Sequence, residues 1–515
     1  MLVSGRPRTA VILAHGLGTH CFPFGGERAF RPKYAHEVGT LPLVCHVVRS
    51  VQSAGVERVL VVAGFRSAAV HRAVAGCGPD ITSVDVHDYA HGDARALAEA
   101  IRARGIAEDL LVVNGDVFAD GDDLTKLVRT FGDAPGCSAA LVDELDENED
   151  KPSWTTVRLS RDGGEIREVC GRVDGERIRL SGAYVFRAAD LAALADLAGR
   201  LERAYLTEML GRLLAEGKTI RSVHAESPIV HVDRAFDYLE ANQLAVERAV
   251  QRIATAEGTY VYVGGQGRPD PRFIFPGCLV SPGARVVMEA DSFIGPYESR
   301  EAHLDALRDP PGGVIPIRIR GHVHVGPRSR IGLNALIEGN LVIGADCVIE
   351  DAVIEPDVLL GNGVVVRRHA VIRSRSVCGD NTRFECGADF EGVAGKGTIY
   401  MHPGQCWVVT GEGCDLGAGN FFGTWRFDSG ICVYRIGGRN VRPKNERIGN
   451  ACYLGDGSRT GVGVMFAPGT RVGADCMLGI GLLAGGVLEA GQSYLPRQEA
   501  TRVRTGLLTR RKRPD

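Results

Sequence analysis

Two hydrophobic rhythms divide the chain. Up to residue 253, short β-branched runs alternate with stretches of helical spacing. TAVILA (9–14), RVLVVAG (58–64), DLLVVNGD (109–116), SAALVDE (138–144) and GAYVF (182–186) read as strands. PLVCHVVRSVQSAG (42–55) and ARALAEAIRARG (94–105) space their apolar residues as helices do, and 236–254 predicts a long amphipathic helix. This alternation argues for a parallel-rich α/β sheet with helices on both faces, whose ligands bind beyond the carboxyl ends of the strands.

The second rhythm has a period of six. Val325, Ile331, Ile337, Ile343 and Ile349 form one series, and Ile354, Leu360, Val366, Ile372, Cys378 and Phe384 a second. A third runs through Ile448, Leu454, Thr460, Phe466, Val472, Leu478 and Ala484, with small residues following many positions. Six is neither a helical nor a simple strand period; it marks a parallel β-helix in which one residue per repeat enters a narrow core. Breaks in phase at 295–320, 386–408 and 433–447 predict loops thrown off the coils. The expected organisation is an α/β domain over 1–235, a linker helix over 236–256, a β-helix over 257–495 and a basic tail over 496–515.

Composition narrows the class. A chain of 515 residues exceeds one ordinary core, and 44% hydrophobic with 24% charged residues suits a soluble globular protein. A net charge of −3 gives no global basic field, which argues against nucleic acid or a membrane surface as partner. The 14 cysteines contain no C-x-x-C pair, and Cys347, Cys378 and Cys476 sit in periodic apolar contexts. That pattern argues against a zinc site or disulfide framework and fits the reducing cytoplasm. No apolar stretch approaches the length that spans a bilayer, and the run at 10–14 is too short for a signal peptide.

Candidate chemistry gathers at the predicted strand ends. The first strand runs into a turn containing Gly16, Gly18 and Thr19, with Lys33 downstream. A triphosphate needs backbone N–H groups at close approach, which glycine permits, and cations to offset charge as pyrophosphate leaves. VVNGDVF (112–118) puts Asp116 at a strand's carboxyl end, placed either to hold Mg²⁺ or to cap the next helix. HVDRAFDYLEAN supplies Asp233, with Asp237 after it.

Taken with the hexapeptide half, these motifs resemble the sugar-1-phosphate nucleotidylyltransferases. The form they most resemble is the bifunctional N-acetylglucosamine-1-phosphate uridylyltransferase/glucosamine-1-phosphate acetyltransferases and their archaeal-type relatives. The resemblance covers nearly the whole chain. It implies a GT-A-like (Rossmann-like) nucleotidyltransferase domain followed by a left-handed parallel β-helix, assembled as a homotrimer. It implies a nucleotide loop of Leu13, Ala14, Gly16, Gly18 and Thr19, with Gly92 in the base-reading segment YAHGDARA. By the same carry-over Lys33 is catalytic, Asp116 and Asp233 hold Mg²⁺, and Glu168 and Gly182 bind the sugar. The implied reaction is attack by the phosphate of a sugar 1-phosphate on the α-phosphorus of a nucleoside triphosphate.

The departures from the family pattern are specific. His20 stands where the family has arginine, so the missing charge falls to a protonated His20, to Arg28 or to Arg31. Leu180 replaces the asparagine that precedes the sugar-binding turn, which leaves base and sugar open. In the second half, His402 lies fifteen residues before Gly417, near where the family keeps the general base of an acetyl-CoA-dependent acetyltransferase. Gln405, Cys406, Asp415 and Thr424 do not match that site's acceptor-binding residues, and Trp407 and Trp425 read as loop packing. Three functions follow: an Mg²⁺-dependent nucleotidylyltransferase, an acyltransferase with a degenerate first domain, or a non-catalytic protein that binds a nucleotide sugar.

Overall fold

The computed structural model describes residues 5–497, apart from 79, 88, 146–154, 171–176 and 429. Its first half is built on a nine-stranded sheet. Thr9–Ala14 is an interior strand, third from one edge, parallel to Arg58–Ala63 on one side and Leu110–Asn114 on the other. The strand is buried on both faces, which its unbroken aliphatic run requires. Ala10, Ile12 and Ala14 enter one core with the helices Leu43–Ser53 and Gly121–Asp133. Val11 and Leu13 enter the other, with Asp93–Arg104 and Leu206–Ala215. GAYVF proves to be the end of a longer strand, Ile178–Phe186, which runs antiparallel to Leu110–Asn114 and makes the sheet mixed.

The second half is a parallel β-helix of three ladders. Ile319, Ile337, Ile354, Ile372 and Phe390 pair in succession along one ladder. Val325, Ile343, Leu360, Cys378 and Ala394 form the next, and Ile331, Ile349, Val366, Phe384 and Tyr400 the third. All of them share a single core. Corners between ladders turn through left-handed residues such as Asp346 (φ 59°), Asn381 (φ 59°) and Gly363 (φ 67°), the residue types that tolerate that region.

Two expectations are corrected here. Segment 386–408 is not a loop. Ala388–Ala394 and Gly404–Thr410 pair along their length, and each turns a corner between two ladders. Phe390 and Ala394 stand four positions apart where the repeat demands six, so the phase slips while the coil continues. Gly392 makes this possible: at φ 126°, a Cβ there would lie 2.2 Å from the Val408 carbonyl oxygen. Ile448 is the second correction. It lies in the short helix Glu446–Gly449 and packs outside the coil, so the third series enters the β-helix only at Leu454. The other two breaks are excursions: one carries the helix Arg300–Ala306, the other a hairpin of Tyr434–Ile436 and Arg439–Val441.

Ala235–Ile253, expected as a linker, is a wall common to both halves. Val342, Leu359, Val377, Val393, Val409 and Tyr453 are successive outward positions of one ladder. They form one apolar cluster with Phe236, Tyr238 and Leu239 of this helix and with Cys21, Phe24 and Val38 of the first domain.

Candidate active site

Adjacent strands place the first components. Thr9–Ala14 pairs with Leu110–Asn114, so the loop after Ala14 and the turn carrying Asp116 emerge side by side. The Gly115 N–H donates to the Leu13 carbonyl at 2.9 Å, and a Cβ on Gly115 would lie 2.9 Å from that of Ala14. Gly18 is left-handed (φ 65°), and the Gly16 N–H donates to the Tyr34 hydroxyl at 3.2 Å. Val230–His231 pairs with Val117–Phe118, and the Val232 N–H donates to the Asp116 carbonyl at 2.9 Å. That pairing carries Asp233 across to Asp116. Asp237 fixes it there, because its Oδ2 accepts from the N–H groups of Asp233 (2.9 Å) and Arg234 (2.8 Å) as part of a helix cap.

The two carboxylates converge on Lys33. Its Nζ donates to Asp116 Oδ2 at 2.5 Å and to Asp233 Oδ1 at 2.8 Å, and the residue is 5% exposed. Burial works against the ammonium, but Asp116 and Asp233 outweigh it and hold the Lys33 pKa well above its ordinary value. Burial likewise opposes the Asp233 carboxylate, yet Lys33 keeps it below the usual carboxylate range. Two carboxylate oxygens aimed at one cation position form the donor set that Mg²⁺ takes together with substrate phosphates. Asp116 and Asp233 therefore fit a divalent cation, with the ammonium marking where positive charge is favoured.

Two polar groups beside this centre were not singled out by sequence. His15 is buried, and burial, followed by the charge of Lys33, pushes its pKa down to about 4, so the ring is neutral near pH 7. His15 Nδ1 and Asn114 Oδ1 lack hydrogen-bond partners among the described residues. The available signal was a polar side chain at the carboxyl end of each of two apolar strands.

The remaining predicted residues distribute as follows. Leu13 and Ala14 are core residues of the strand, while Thr19 and His20 are exposed on a turn of 3₁₀ helix. Arg28 is exposed on the following loop. Arg31 does not serve the phosphate loop in this structure. Its guanidinium spans Asp456 at 3.1 Å, through two hydrogen bonds, and Glu412, both on the β-helix. The reason is electrostatic: two carboxylates of the second domain, a buried Asp456 and a part-exposed Glu412, face the nearly buried guanidinium. Gly92 (φ 102°) is needed for packing, since a Cβ there would lie 2.1 Å from the Ala204 carbonyl oxygen. The neighbouring Asp93 accepts from the Leu206 N–H at 2.7 Å, so this corner holds the AYLTEML segment. Gly182 (φ 69°) faces the centre, where a Cβ would lie 2.9 Å from Val117 Cγ2 and 3.2 Å from Asn114 Nδ2. Glu168 is exposed and paired with Arg158 at 2.8 Å.

His402 is exposed on a β-helix turn and has no hydrogen-bond or ion-pair partner among the described residues. The open cleft beside it, about 430 Å³, is lined by Gly387, Asp389, Pro403 and Phe421, and Asp389 is already held by Arg373 at 2.7 and 2.8 Å. A cavity of about 760 Å³ lies among the helices Leu43–Ser53 and Ala235–Ile253 and the β-helix, and none of Lys33, Asp116 and Asp233 lines it.

Residues 10–217 match the family model of the MobA-like NTP transferase domain. Across both halves the chain is similar to the Bifunctional protein GlmU of Bifidobacterium longum, at 25% identity over 443 residues, covering 80% of this chain and 89% of that protein. The same-named protein of Heliobacterium modesticaldum is 23% identical over 496 residues, covering 92% of each. Among solved structures, the inositol-1-phosphate CTP transferase from T. maritima superposes with a TM-score of 0.40 at 18% identity, covering 45% of this chain and 92% of that one. Within the matched residues lie the glycine loop, Lys33 and Asp116, and Asp233 falls just beyond them. Among the described residues, no helix is long and apolar enough to cross a membrane.

Proposed function

We propose that the protein is an Mg²⁺-dependent nucleotidylyltransferase that joins a nucleoside triphosphate to a sugar 1-phosphate, or a sugar-like phosphate, and releases pyrophosphate. One observation carries this reading: Asp116 and Asp233 converge on Lys33 at the carboxyl end of the central strands, beside a glycine loop. Asp116 and Asp233 would hold the Mg²⁺, which when bound neutralises phosphate charge. The loop from His15 to Thr19 presents backbone N–H groups to the phosphates, and left-handed Gly18 lets the chain approach closely. Lys33 then exchanges its carboxylate partners for phosphate oxygens. An oxygen of the sugar phosphate bonds to the α-phosphorus, the bond to the bridging oxygen breaks, and pyrophosphate departs with that electron pair. Neutral His15 and Asn114 offer a donor and an acceptor to the nucleotide. Gly182 packs closely against Val117 and Asn114, so its lack of a side chain lets this strand approach the centre where the sugar phosphate would bind.

The β-helix is proposed as an acyltransferase-like frame. Phe421, Met465 and Leu483 stack as an exposed apolar row on its outer surface, which supports assembly with further copies into a homotrimer. Acetyl-CoA, if used, would bind where a second copy supplies the partners that His402 lacks here. The compartment proposed is the cytoplasm, where both substrates are made. The test is pyrophosphate release from each common nucleoside triphosphate paired with a panel of sugar and polyol phosphates in the presence of Mg²⁺. Turnover with at least one pair is expected; none with any pair overturns the reading.

A further inference from the structure

The proposed reaction gathers several negative charges at one end of the glycine loop, and the first domain supplies few cations there. Lys33 is shared between two carboxylates, and Arg31 is drawn away to Glu412 and Asp456. The exposed end of the loop, Thr19 and His20, contributes no guanidinium.

A hairpin of the second domain stands against that end. Its strands Tyr434–Ile436 and Arg439–Val441 are joined by Gly437 (φ 55°) and Gly438 (φ 78°), the two left-handed residues of a tight hairpin turn. A Cβ on Gly437 would lie 3.2 Å from His20 Nε2, so the tip abuts the nucleotide loop. Cross-strand partners share a face, and the register pairs Tyr434 with Val441, Ile436 with Arg439 and Arg435 with Asn440. The face bearing Tyr434, Ile436 and Val441 is turned to the first domain: Tyr434 and Val441 are buried with Cys21, Phe24 and Phe236, and the Tyr434 and Phe236 rings are 5.4 Å apart. Arg439 belongs to that face but stands at the tip, exposed, and has no ion-pair partner among the described residues. Lys444, paired with Glu240 of the shared helix, anchors the base of the hairpin.

We propose that Arg439 reaches the phosphate loop within the same chain and stabilises the departing pyrophosphate, so that the second domain completes the active site of the first. This rests on the nucleotidylyltransferase reading. The two-residue turn and the buried Tyr434 and Val441 fix the backbone that carries the arginine before substrate arrives, which lowers the reorganisation that electrostatic stabilisation requires.

The experiment compares Arg439→Ala, Arg439→Lys and Arg435→Ala with the unaltered protein, reading kcat and KM in the forward direction and with pyrophosphate in reverse. Arg439→Ala is expected to lower kcat/KM for the triphosphate and for pyrophosphate by about tenfold or more, since loss of one such donor costs on the order of a hundredfold where it is fully engaged. KM for the sugar phosphate should hold, Arg439→Lys should restore part of the loss, and Arg435→Ala on the opposite face should stay within about twofold. Exposure of Arg439 means that the thermal midpoint should not move. If the unaltered protein turns over and Arg439→Ala matches Arg435→Ala, this inference alone is overturned. If the unaltered protein turns over no substrate pair, the underlying reading falls and this inference with it.

Discussion

Lys33 and His402 are both single residues picked out by a motif, and the fold treats them oppositely. Lys33 is buried at the edge of a sheet, in the 3₁₀ turn Lys33–Ala35, and gripped by carboxylates from the turn after Leu110–Asn114 and the segment after Val230–His231. His402 sits on a β-helix turn in open solvent. The difference follows from topology. Parallel strands end together, so their loops converge and one side chain finds partners from distant parts of the chain. Corners of a β-helix diverge from its axis, so each coil offers its residue outward, and a partner must come from another coil or another copy. A motif residue in the loops at a sheet's carboxyl edge is therefore stronger grounds for a site than the same residue on a coil corner.

The sharpest way to break this contrast is Asp116→Asn. With the shape kept and one carboxylate lost, pyrophosphate release should fall by about a thousandfold or more while the thermal midpoint shifts little. A rate within tenfold of the original would put the Lys33 centre on the same footing as His402. Next in size is Asp456→Ala, which leaves the Arg31 guanidinium poorly paired in a nearly buried position. A loss of about 3 kcal/mol is expected from denaturant titration, as for other broken buried pairs. An unchanged midpoint would mean that the two domains are not coupled through Arg31.

Glu37 gives a smaller, pH-dependent effect. Burial, followed by the nearby Glu412, raises its pKa to about 7 from an ordinary 4.5. A carboxyl group with a raised pKa in the folded state stabilises it fully below the unfolded value, and that contribution is lost as pH rises towards 7. Glu37→Gln should therefore match the unaltered protein near pH 4 and exceed it at pH 8 by on the order of 2 kcal/mol. Parallel stability curves would refute the assignment. Smallest of all is His402→Ala, which should leave nucleotidyl transfer within about twofold. A loss of coenzyme A release from acetyl-CoA in that variant, with an amino sugar as acceptor, would raise the second site towards the standing of the first.

Much of this fold was legible because its signals are local. A residue that points inward at every sixth position announces the β-helix, and Thr9–Ala14 announces a buried strand without help from anything distant. Lys33, Asp116 and Asp233 were legible by motif, although only the strand pairing beside Asp116 explains how they meet. Arg31 was not legible, because its role depends on Glu412 and Asp456, far along the chain on another domain. Segment 386–408 misled because a corner shortened by two residues breaks the phase without breaking the coil. Gly92 was legible as a loop glycine, but the packing against the Ala204 backbone that demands it was not.

The helix Ala235–Ile253 has an outcome for how this protein can be cut and recombined. In sequence it looks like the place to separate one half from the other. In the folded chain that cut would strip Val342, Leu359, Val377, Val393, Val409 and Tyr453 of their cover and leave a greasy strip along the coil. Either half expressed alone should be sticky, and a chimaera that swaps the catalytic half for a relative's must carry over the matching strip as well. The apparent modules are inherited as one object.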